Sequence, residues 1–72
     1  MEYLVLIHPA EEGGYWTEVP ALPGCYSQGE TIDEALANTK EAIESHVAAL
    51  REEGQEVGED SGVLIGRVSV AA

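Results

Sequence analysis

Apolar and polar positions alternate along this chain in blocks of different period, and the blocks divide it into short elements. The run "EYLVLIH", Glu2 to His8, is apolar at nearly every position, rich in branched and aromatic residues, and stops at Pro9. It predicts a strand whose two faces both meet protein. "PAEEGG" reads as a loop, with Gly13 and Gly14 free to take positive φ, and "YWTEVP" restarts a strand that ends at Pro20, so the two strands form a hairpin. After "ALPG", a third short strand, "CYSQ", precedes Gly29.

The period then changes from two to that of a helix. "TIDE", Thr31 to Glu34, has the form of a capping box, with the hydroxyl accepting from a backbone N–H and the glutamate reaching back. Ile32, Leu36, Ile43, Val47 and Leu50 make one apolar stripe, while Asp33, Glu34, Glu41, Glu44 and Glu52 project the other way. Gly54 is the expected C-terminal cap. "REEGQEVGED", Arg51 to Asp60, reads as a solvated connection, and Val63 to Val70 as a last strand with a bulge at Gly66. The predicted order is β-β-β-α-β over residues 1–72, one α+β domain with a small, mainly antiparallel sheet and a single helix on one face.

Size and charge narrow what such a domain does. A chain of 72 residues buries only about 60% of the surface its unfolded form exposes. The core is thin, and a sheet with one helix leaves a face or edge open, so a homo-oligomer is expected. Fourteen acidic against three basic residues give a net charge of −11. Binding to phosphate backbones runs on Lys and Arg, so direct nucleic-acid contact is not expected, whereas a basic protein partner is favoured. "YLVLIH" is too short to span a membrane, and no basic segment precedes it as in a signal peptide. The single cysteine, Cys25, suits the reducing cytoplasm.

Chemistry-bearing residues are few. No spacing links Cys25 to His8 or His46 as a nucleophile and its base, and a lone cysteine heading a strand reads as a small buried apolar residue. The same three residues lack the paired spacings of a zinc site. His46 falls beside the apolar stripe and reads as a histidine at the edge of the core. Neither cofactor, metal nor enzymatic activity is expected. Tyr15 and Trp16 are adjacent in a strand and point to opposite faces, so one of them reaches the open face or its rim, where a large ring anchors a partner. The candidate partner surface is Trp16 with the acidic helix residues Glu34, Glu41, Glu44 and Glu52.

"GGYWTEVPALPGCYSQGETIDEALANTKEAI" resembles the signature of the HicB-type antitoxins of HicAB toxin–antitoxin pairs. The matching positions are Pro20, Leu22, Pro23, Gly24, Cys25, Gly29, Thr31, Glu34 and Ala35, with Ala42 and Ile43, and the likeness covers about Met1 to Leu50. The resemblance implies a partial ribonuclease-H-like domain without nuclease activity. It also implies a partner, a small basic HicA-type toxin that cleaves messenger RNA and is neutralised when its active surface is covered. Many HicB proteins continue into a DNA-binding domain, whereas this chain ends at Ala72, so operator binding is not expected. Two other readings stand beside this one: a self-associating domain without a toxin, and a small metal-dependent ribonuclease-H-like hydrolase, which needs carboxylates converging on a divalent ion. Pro20, Pro23, Gly24, Cys25, Gly29 and Thr31 form a structural corner, the prolines limiting the backbone, Gly24 and Gly29 permitting unusual φ, and Thr31 setting the helix start.

Overall fold

A computed structural model of the chain describes residues 1–60 and 64–71. Three strands, β1 (Leu6–Pro9), β2 (Tyr15–Glu18) and β3 (Tyr26–Gly29), form an antiparallel sheet in the order β1-β2-β3, followed by the helix α1 (Ile32–Glu52). The α+β class and the order of these elements agree with the hydrophobic pattern. Strand β1 is shorter than the apolar run that announced it. Its register pairs Leu6 with Glu18, and further upstream the ladder would meet Val19 and Pro20, where β2 has turned away and proline has no N–H to offer.

Helix α1 begins where the capping box placed it. The Glu34 N–H donates to Thr31 Oγ1 at 3.1 Å, and Glu34 Oε1 accepts from the Glu30 N–H at 3.0 Å. It ends in a Schellman arrangement: the Gly54 N–H donates to the Arg51 carbonyl and the Gln55 N–H to the Leu50 carbonyl, with Gly54 at φ +70°. Ile43, Val47 and Leu50 pack on the core, whereas Ile32 and Leu36, from the same stripe, remain largely exposed.

The core is built by the corner between β2 and β3. Val19, Leu22 and Cys25 are its buried cluster, and the same three residues are chained by backbone bonds from Val19 N–H to Cys25 O, Leu22 N–H to Val19 O and Cys25 N–H to Leu22 O. Gly24, at φ +87°, lets the chain close this loop. Gly29 has a different reason from the one expected. It is not at positive φ; a Cβ there would lie 2.4 Å from the Ala35 nitrogen, so only glycine lets the sheet approach the first turn of α1 this closely. Between sheet and helix, Thr17 and Thr39 bury their hydroxyls 2.6 Å apart.

Two expectations for the C-terminal third are corrected. The connection after α1 is not wholly solvated: Val57 packs against the core, the Tyr3 hydroxyl donates to the Gly58 carbonyl at 2.8 Å, and the Leu4 N–H donates to Asp60 Oδ2. The last strand, expected over Val63–Val70, is absent from the sheet: Leu64 to Val70 form no strand and are exposed throughout, while Val63 lies outside the described residues. Strand-forming composition supplies no ladder unless a neighbouring edge is brought alongside. Among the described residues no helix is long and apolar enough to cross a membrane.

Candidate partner-binding face

Strand alternation sorts the sheet into two faces. Thr17 is buried beneath α1, so its neighbours Trp16 and Glu18 point away from the helix. Cross-strand pairing adds Leu6 and His8 from β1 and Tyr26 and Gln28 from β3 to the outer face. Of the adjacent aromatics, Trp16 therefore takes the open face and Tyr15 the helix side. His8 stacks on Trp16 with ring centroids 4.1 Å apart and planes inclined by 18°, and Tyr26 leans against the other side of the indole at 6.4 Å. His8 Nε2 lies 3.0 Å from Glu18 Oε1, which holds the imidazole over the indole. Trp16 is 38% and Tyr26 60% exposed. The result is a rigid amphipathic ridge across an uncovered sheet.

At one end of this face lies an open hollow of about 590 Å³, where the β1–β2 loop meets the β3–α1 junction. Glu11, Glu12, Glu30 and Glu34 line it with Trp16 and Asn38. Asn38 Nδ2 donates to the Gln28 carbonyl at 2.8 Å, tying the helix to the last strand beside it. Four carboxylates beside an indole make this hollow strongly acidic, and carboxylates form charge-assisted hydrogen bonds with guanidinium and ammonium groups.

The residues singled out from the sequence are only partly gathered. Trp16 and Glu34 line one hollow. Glu41 and Glu52 follow Glu34 at seven and eighteen residues, close to whole helical turns, and form an exposed stripe leading away from it. Glu44 sits instead at the rim of a second, apolar groove beside the N-terminal segment. Glu11, Glu12, Glu30 and His8 escaped the sequence reading as partner-surface residues. Equal strand lengths in a meander bring the first loop and the third strand's end together, and that was the available signal.

Nucleophilic chemistry at Cys25 finds no support in its surroundings. The thiol is buried and free, and burial pushes its pKa up from the ordinary 9.0, the opposite of an activated thiolate. His46 and Cys25 do line one shallow hollow with Gly24 and Ala42, and there the histidine is half-buried at the core's edge. Among the described residues no three His, Cys, Asp or Glu side chains gather closely enough to hold a metal ion.

Comparison with known proteins gives this geometry its context. Residues 3–66 match the family model described as the HicB-like antitoxin of bacterial toxin–antitoxin systems. A UPF0150 protein of Thermoplasma acidophilum is 44% identical over 61 residues, covering 85% of this chain and 88% of its own. A UPF0150 protein of Synechocystis is 43% identical over 62 residues, 86% of this chain and 78% of its own. The crystal structure of the Burkholderia pseudomallei antitoxin HicB superposes with a TM-score of 0.74 at 41% identity, covering 88% of this chain. This chain spans 48% of that antitoxin's length. The isolated N-terminal domain of the same antitoxin gives 0.68 at 46% identity, over 79% of this chain and 65% of its own. The sequence motif, the fold and these matches agree, and the chain belongs to the HicB-like antitoxin family.

Proposed function

We propose that this chain is a toxin-neutralising module that binds a small basic RNA-cleaving toxin of the HicA type and covers its active surface without chemistry of its own. The observation that carries the reading is the meeting of Trp16 with Glu11, Glu12, Glu30 and Glu34 in one open hollow at the end of an uncovered sheet face. A lysine or arginine of the toxin enters between the carboxylates, beside the indole. Glu41 and Glu52 extend the negative field along α1, and with the net charge of −11 they speed encounter with a basic surface. The same charge keeps the chain off RNA, so neutralisation works by occupying the toxin and not by shielding its substrate. The reading places both proteins in the reducing cytoplasm, where Cys25 stays a thiol.

The test is a cleavage assay with a HicA-type toxin from the same genome, acting on a messenger RNA. An equimolar amount of this chain is expected to stop cleavage at low salt. The variant carrying E11Q, E12Q, E30Q and E34Q, or W16A alone, should need at least tenfold more protein, and 0.5 M salt should weaken the wild type. Full cleavage in the presence of a tenfold excess of wild-type chain overturns the reading.

A further inference from the structure

The ring stack on the outer sheet face includes a group whose charge changes near neutrality. Imidazole is the side chain that ordinarily titrates between about pH 5 and 8, and this chain has two, His8 and His46. His8 lies flat on Trp16, with centroids 4.1 Å apart and planes inclined by 18°, and its Nε2 sits 3.0 Å from Glu18 Oε1. The His8 and Glu18 side chains are 38% and 33% exposed, so the ring exchanges protons with solvent from within the stack. A carboxylate only accepts, so the neutral ring donates from Nε2. The protonated ring keeps that bond, and an indole face accommodates a cation within about 6 Å of its centroid. One proton therefore takes the summed charge of His8 and Glu18 from −1, a neutral ring with a carboxylate, to 0, an imidazolium with a carboxylate, without dismantling the ridge.

We propose that His8 is a proton-controlled positioning residue of the partner-binding face. Neutral, it holds the indole at the rim of the acidic hollow; protonated, it sets a positive charge against Trp16 and weakens the hold on a basic toxin. The inference rests on the neutralisation reading and adds its regulation. Trp16 belongs both to the stack and to the hollow lined by Glu11, Glu12, Glu30 and Glu34, so the titrating ring and the acidic site share a side chain. The groups facing His8 are Glu18 and Trp16 on β2 and, across the indole, Tyr26 on β3. Around the hollow the β1–β2 loop adds Glu11 and Glu12, and the β3–α1 junction Glu30 and Glu34. Carboxylates and phenols ordinarily titrate outside the imidazole window, so His8 supplies the change. Helix α1 packs on the opposite side of the sheet, with Lys40 and Arg51 along one groove and His46 beside Cys25 in another hollow. The charge added at His8 thus lies one ring away from a surface that recruits cations, where like charge repels.

In the chain alone, the indole N–H resonance of Trp16, the single tryptophan, is expected to shift between about pH 5 and 8 in step with the His8 ring resonances. His8→Gln should abolish this shift and His46→Gln should retain it. With the HicA-type toxin, the affinity of the wild type is expected to fall by about threefold or more, relative to His8→Gln, between about pH 8 and pH 5.5. That comparison cancels the toxin's own titrating groups, and helical circular dichroism recorded at both pH values excludes unfolding. An indole resonance indifferent to His8, or the same pH ratio of affinities in wild type and His8→Gln, overturns the proposal and leaves the neutralisation reading standing. Absence of toxin binding at the higher pH overturns that reading and this regulation with it.

Discussion

Replacing Thr39 with valine keeps the side chain's shape and removes one oxygen, and the hydrogen bonds around it make the cost directional. Thr39 Oγ1 lies 2.6 Å from the Ala35 carbonyl and 2.6 Å from Thr17 Oγ1. A carbonyl only accepts, so the single Thr39 proton goes to Ala35 and the Thr17 hydroxyl donates to Thr39. Thr17 and Thr39 are 0% and 1% exposed, so water cannot replace a lost partner. Thr39→Val therefore strands the Thr17 donor in the core, at about 1–3 kcal/mol. Thr17→Val leaves Thr39 bonded to Ala35 and costs only the net value of one bond, about 0.5–1.5 kcal/mol. In the double variant no donor is stranded, so its cost falls short of the sum by about 1 kcal/mol. Total stability for a domain of this size is roughly 4–11 kcal/mol at about 0.05–0.15 kcal/mol per residue, and each 1 kcal/mol moves Tm by about 4–8 °C. Urea denaturation followed at 222 nm, at one fixed protein concentration, resolves these differences. Equal losses for the two single variants, or a strictly additive double variant, would refute the assigned hydrogen-bond direction.

Gly29→Ala forces a Cβ to within 2.4 Å of the Ala35 nitrogen, against backbone that cannot rotate away, and is expected to cost about 3 kcal/mol, visible in the same denaturation curves. Thr31→Ala removes the acceptor of the Glu34 N–H and should cost about 1 kcal/mol, while Thr31→Ser should restore most of it. Cys25, with its pKa raised by burial, is expected to react with a thiol reagent at pH 8 far more slowly in the native chain than in urea. Because the folded state holds the thiol proton more tightly than the unfolded one, this group leaves stability unchanged below the ordinary pKa of 9.0 and lowers it as pH rises beyond that value. Constant stability between pH 8.5 and 10.5 in wild type and Cys25→Ala alike would contradict this.

Local signals read well wherever a backbone group finds its partner within a few residues. The Thr31 and Glu34 capping pair, the Gly54 cap and the helical spacing of Ile43, Val47 and Leu50 act inside one or two turns, so sequence alone placed α1 and both its ends. The β-β-β-α order followed from the proline and glycine breaks between apolar runs. Strand ends were less legible, because a ladder stops where its neighbour stops: the apolar run from Tyr3 continues, but β1 begins only at Leu6, opposite Glu18. Val19, Leu22 and Cys25 recur at every third position through the corner, and packing turned that corner into the core.

The sequence by itself determined the class, the helix and its caps, the acidity and the family motif, since each depends on neighbours in the chain or on summed composition. Tertiary structure alone decided that Trp16, not Tyr15, takes the open face, and that Glu11, Glu12 and Glu30 meet Glu34 in one hollow. It also showed that Gly29 serves close approach and not a left-handed turn. Pairing register and helix placement set those distances between residues far apart in the chain, and no local pattern encodes them. For Leu64–Val70 the sequence states a strand, but in the structure these residues join no ladder and lie exposed, because a strand is completed only by the neighbour that accepts its hydrogen bonds.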